Sequence, residues 1–158
     1  MAKIDLKKPY SGYFVDPKTN QRVAVVTPKT AHLPDTRLSG VWGWLFFWVR
    51  IPRYVLLEPI IYIDPRGKRW VAPAGDEFNG GSIPFWLRWL YRPDRSDCLP
   101  GFALHDKLCT KPHPCDSETA HALLYLAILA NGGYEREARL IHSGVSWFGP
   151  KFKEGAEQ

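Results

Sequence analysis

Between residues 105 and 121 the chain carries His105, Asp106, Cys109, His113, Cys115, Asp116 and His121, which include three of its five histidines and two of its three cysteines. Imidazole, thiol and carboxylate groups at this density allow two kinds of chemistry. One is zinc binding. A structural zinc takes four nitrogen or sulfur ligands in a tetrahedron, and His105, Cys109, His113 and Cys115 supply that number. Their spacing, His-x3-Cys-x3-His-x-Cys, follows no zinc finger or ribbon pattern. The other is hydrolysis, with His105 activating water as a general base and Asp106 holding a hard cation such as calcium. A carboxylate on the facing helix should orient such a histidine, whereas the inward group here is His121. A third reading needs no reaction. Cys109 and Cys115 are either bridged or reduced, and His105-Asp106 is a buried hydrogen-bonded pair that fixes two helices.

These readings depend on helices to position the side chains. His105 and Cys109 are four apart and share one face of a helix expected over residues 99–109. A second helix is expected over 117–130, with Asp116 or Ser117 as its N-cap, and Asn131-Gly132-Gly133 ends it. An antiparallel pair joined by residues 110–116 would bring His105 and His121 toward each other. The second helix, apolar nearly all round from Ala120 to Ala130, must be the buried centre of the domain. A third helix is expected over 134–147.

The first half reads as β structure. Short strands are expected at 13–15 and 22–27, a loop over 28–40, and a hairpin from residues 54–63 and 69–72 around the turn Asp64-Pro65-Arg66-Gly67. Pro84 opens a short helix over 85–91, with Ser82 as a cap. Strands first and helices later make an α+β fold, a small antiparallel β region followed by three to four helices. The whole chain reads as a single domain, with a frayed tail over 153–158.

Two other stretches attract a functional reading. Residues 41–49, VWGWLFFWV, are uncharged and end at Arg50. They are too short to span a bilayer, which needs about 20 apolar residues. They form either a buried strand or an aromatic surface, with Trp42, Trp44, Phe46, Phe47 and Trp48 set to dock a partner or a membrane interface. Residues 41–53 together resemble an insertion. The loop Asn79-Gly80-Gly81-Ser82 either brings backbone groups close to an ion or forms a tight turn before a helix.

The 158 residues carry a net charge of +5, but the basic residues are scattered and no recognition motif accompanies them, so specific nucleic-acid binding is not expected. The amino-terminal sequence MAKIDLKKPYSG has no apolar core of a secretory signal, and three cysteines make no even disulfide framework. The expected location is the host cytoplasm or a virus particle.

Several of these pieces, taken together, resemble one family. Pro73-Ala74-Gly75, Asn79-Gly80-Gly81-Ser82-Ile83-Pro84, His105-Asp106-Lys107-Leu108, Thr119-Ala120-His121, and Arg139 through Phe148-Gly149 are similar to domain of unknown function family 1353, over about residues 54–149. That family occurs in phages, prophages and bacteria. Its members show a Pro-Ala-Gly step, an Asp-Gly-Ala-Ser-Ile-Pro element, a His-Asp pair, and a Glu-Ala-Asp on the next helix. The resemblance implies a phage origin more than an activity. The His-Asp helix facing an acid looks like secreted phospholipase A2, by analogy alone. Two positions depart from the pattern: Asn79 stands where the family has Asp, and His121 where it has the helix acid. The remaining groups, His105, Asp106 and His121, would suit a softer transition metal better than calcium.

The expected function is therefore that of a phage-encoded accessory or virion-associated protein, acting by binding a phage-particle or host protein. The alternative is a metal-dependent hydrolase of lipid ester or cell-envelope bonds. It would use His105, Asp106 and His121 with zinc or calcium, and Asn79 and Gly81 would contact the substrate.

Overall fold

A computed structural model describes residues 11–37, 50–78 and 97–155. Among them are seven strands followed by three helices, an α+β arrangement. Strands β1 (Tyr13–Val15), β2 (Arg22–Val23), β5 (Ile60–Ile63) and β6 (Arg69–Ala72) form an antiparallel sheet in the order β2-β1-β5-β6. Strands β3 (Thr30–Arg37), β4 (Arg50–Leu56) and β7 (Glu77–Phe78) form a second one, in the order β3-β4-β7.

The β5–β6 hairpin forms because Asp64 organises the turn between its strands. Asp64 Oδ1 accepts from the backbone of Arg66 at 2.8 Å and of Lys68 at 3.0 Å, while Oδ2 accepts from Trp70 Nε1 at 3.1 Å. Gly67, at φ 82°, takes the left-handed position that a side chain would resist. Alternation along these strands turns Phe14, Tyr62, Trp70 and Ala72 inward, where all are buried against the helices.

The expectations for residues 22–40 need correction. The second strand stops at Val23, not Thr27. The backbone of Val26 bonds elsewhere: its N–H donates to Asn131 Oδ1 at 2.6 Å and its carbonyl accepts from Asn131 Nδ2 at 3.0 Å. Residues 30–37, expected as loop, form the edge strand β3. The β3–β4 register shifts between Leu33 and Thr36, around Pro34. Proline is tolerated in an edge strand at such an irregularity because no ladder N–H is demanded of it there.

The helices follow the sequence closely. Helix α1 is Leu99–Leu108, α2 is Ser117–Ala130 and α3 is Glu135–Phe148. Asp116 caps α2 by accepting from Thr119 N at 2.7 Å, and Gly132 at φ 85° follows its end. The α2 residues from Ala120 to Ile128 are all buried, as the all-round apolar pattern demands. Helices α1 and α2 pack closely at Gly101, where a methyl group would meet Ile128 Cγ1 at 3.1 Å and Leu124 Cδ1 at 3.3 Å. The tail expected to fray from Lys153 is held as far as Gly155, whose N–H donates to the His113 carbonyl at 3.0 Å.

Candidate functional site

His105 enters the site from the second turn of α1 and His121 from the second turn of α2. The antiparallel packing of the two helices sets His105 Nε2 at 2.9 Å from His121 Nδ1. Both rings are buried, at 1% and 2% exposure. With one nitrogen of each ring in the contact, one imidazole donates and the other accepts, so the contact needs no charge on either ring. Around it, Cys109 Sγ lies 3.6 Å from His105 Nε2 and Asp106 Oδ1 lies 3.8 Å from His105 Nδ1. His121 Nε2 is buried without a well-formed hydrogen bond.

The electrostatics favour neutral groups. Burial, with smaller contributions from His105, Lys151 and His142, lowers His121 to about 4, and the Pro150 carbonyl only partly opposes this. Burial also lowers His142. The Cys109 thiol is pushed up to about 12, first by burial and then by Asp106 and Cys115. Burial raises Cys115 to about 11, with Asp116 adding to it. Both thiols are therefore protonated at neutral pH and are poor nucleophiles.

The remaining sequence candidates scatter. His113 leaves the pair and stacks its ring on Phe152, centroids 4.0 Å apart. Cys98, Cys109 and Cys115 form no disulfide, so of the two alternatives for Cys109 and Cys115 the structure has the reduced one. Among the described residues no three His, Cys, Asp or Glu side chains gather as a metal-binding group, so His105, Cys109, His113 and Cys115 do not converge. The second candidate set has only His105 and His121 in direct contact, with Asp106 beside them. Trp42, Trp44, Phe46, Phe47 and Trp48, and the loop Asn79-Gly80-Gly81-Ser82, lie outside the described residues, as does the short helix expected over 85–91.

The Pro73-Ala74-Gly75 step is a turn whose backbone bonds to β4. Gly75 N donates to the Leu56 carbonyl at 2.8 Å, and Leu56 N to the Asp76 carbonyl at 3.0 Å. Asp76 Oδ2 then faces Lys107 Nζ at 3.2 Å as an ion pair without hydrogen-bond geometry. The turn is thus tied to the same helix that carries His105 and Asp106. A family model described as "Protein of unknown function (DUF1353)" matches residues 54–145, the stretch that contains both elements. The chain belongs to this family. No curated protein and no solved structure matches it. The DUF1353 segment therefore runs from the middle of β4 into α3, and β1 to β3 precede it.

Two surface features escaped the sequence reading. On α3, Trp147 is 78% and Leu140 52% exposed, seven residues apart and so on one side of the helix. That spacing was visible in the sequence, but a buried face and an exposed apolar face give the same signal until the core is known. The second feature is a groove on the outer side of the four-stranded sheet, which takes its lining from all four strands and a loop.

Proposed function

We propose that this DUF1353 member is a phage-encoded accessory or particle-associated protein that acts by binding a protein partner. The contact between His105 and His121 carries the reading. A histidine serving as general base is normally oriented, and its protonated form stabilised, by a carboxylate on its far nitrogen. His105 instead spends Nε2 on a neutral imidazole inside the helix pair, which suits a lock between α1 and α2. The apolar side chains Trp147 and Leu140 on the outer side of α3 add the kind of surface that partners cover.

The test is co-sedimentation. Tagged protein expressed during phage production should band with purified particles on a density gradient. The variant lacking residues 44–48 should stay in the soluble fraction while keeping its circular dichroism spectrum. Association that survives this deletion would remove the aromatic segment from the proposal.

One observation favours the alternative, a metal-dependent hydrolase of lipid ester or cell-envelope bonds. The Asp106 carboxylate keeps 14% of its surface exposed beside His105. Under that reading His105→Asn abolishes ester hydrolysis in folded protein, and under ours it leaves particle association intact.

A further inference from the structure

Strand register builds the outer groove. Tyr13 pairs with Ile63 and Ile63 with Arg69, while Val15 pairs with Arg22. Directly paired residues point to the same side of a sheet. Phe14, Tyr62 and Trp70 take the inner side, so Tyr13, Val15, Arg22, Ile63 and Arg69 share the outer one. Asn20, in the β1–β2 connection, completes the lining of a cavity of about 420 Å³. That volume falls within the range of small-molecule sites.

The charge of the groove is one-sided. Arg22 and Arg69 come from the two opposite edge strands, and no acidic residue lines the cavity. The Arg22 guanidinium lies over the Tyr13 ring, 5.1 Å from its centroid, and Arg69 Nη1 donates to Asn20 Oδ1 at 3.3 Å. Neither has a carboxylate partner among the described residues, whereas Arg53, Arg66 and Arg139 each have one. A guanidinium does not lose its proton, so two unneutralised ones in one concavity produce a fixed positive potential. The ring under Arg22 and the amide beside Arg69 also restrict both side chains before any ligand arrives, which lowers the cost of ordering them. Val15 and Ile63 give the groove an apolar floor.

We propose that this groove binds a phosphate-bearing small molecule, with the phosphate held by Arg22 and Arg69 and the less polar part resting on Val15 and Ile63. Two forked donors match a dianionic phosphate in charge and geometry, whereas a single carboxylate needs only one. The site is separate from the His105–His121 pair and does not depend on how that pair is read.

Isothermal titration of the full chain at low salt tests this, using inorganic phosphate, adenosine monophosphate, glycerol 3-phosphate and, as uncharged controls, adenosine and glycerol. Expected is millimolar or tighter binding of at least one phosphate compound and none of the controls. Tighter binding of an ester than of inorganic phosphate would identify the organic part as contributing, and the ranking of the two esters would separate a nucleotide from a lipid headgroup source. Arg22→Gln and Arg69→Gln should each weaken binding about tenfold or more. Lys68→Gln, a neighbouring cation outside the lining, should change it little. Failure of all three phosphate compounds to bind overturns the proposal. So does binding that survives the folded double variant Arg22→Gln/Arg69→Gln, or an equal loss in Lys68→Gln.

Discussion

His121 is the residue at which chemistry and stability meet. Unfolded, its imidazole has the ordinary histidine value near 6.5; burial in the folded chain lowers it to about 4. Between these values the unfolded chain binds a proton that the folded chain refuses, so stability falls as pH drops from about 6.5 toward 4 and is full above that window. The loss from this residue should be on the order of 2 kcal/mol, and the lowered His142 adds to it in the same direction. Urea unfolding at a series of pH values measures the slope, and a flat profile from pH 7 to 4.5 would contradict it. Replacing His121 with Glu gives a sharper test. A carboxylate opposite His105 should accept a hydrogen bond from its Nε2–H and remove the acid sensitivity that His121 contributes. Proton NMR of the histidine Cε1–H signals would show it. The sequence already placed His105 and His121 on facing helices, because spacing within a helix and a short antiparallel connection determine which residues can meet. It could not tell that His113 would turn to Phe152, since that contact depends on the carboxy-terminal chain folding back over residues 113–117.

At the scale of elements, Asn131 joins parts of the chain that are remote in sequence. As the α2 C-cap residue it exchanges two hydrogen bonds with Val26 and donates from Nδ2 to the Asp97 carbonyl at 3.1 Å. It is 1% exposed, so the backbone groups it satisfies have little water to replace it. Asn131→Ala should cost about 2–4 kcal/mol, because buried donors and acceptors are left unpaired. Asn131→Asp should cost a comparable amount by removing the two donated bonds. Chemical denaturation of the folded proteins would decide this, and a change below about 0.5 kcal/mol in both would show that the cap is dispensable. This residue also explains where sequence reading stopped. Helix ends were legible from Asp116 and Asn131-Gly132-Gly133 because caps act locally. The length of β2 was not, since Val23, Val25 and Val26 favour a strand and only a side chain 105 positions away withdraws Val26 from the ladder. Strand β3 was hidden in a similar way: Pro34 signals a loop unless a strand edge happens to accommodate it.

At the scale of the whole molecule, the two sides of α3 have separate roles. Ala138, Ile141 and Val145 close the core against α2, while Leu140 and Trp147 face water. Trp147→Ala should therefore leave the unfolding midpoint within about 0.5 kcal/mol of the parent and reduce particle association, provided that the protein acts by binding. A large loss of stability would instead place Trp147 in the core. The α+β class was readable from the order of patterns along the chain. The division of the strands into two sheets was not, because pairing partners depend on contacts between distant segments and not on local alternation.

The bonds between Val26 and Asn131 also order events during synthesis. The ribosome releases residue 26 long before residue 131, so the emerging amino-terminal segment has no Asn131 to bond until the whole of α2 has been translated. Until then the amide and carbonyl of Val26 remain bonded to water, and the residues between β2 and β3 are open to any protease in the cell. Arrested nascent chains ending near residue 125 should therefore be cut in this segment, while chains extended to the end and clear of the exit tunnel should resist. The protein is completed at its beginning last.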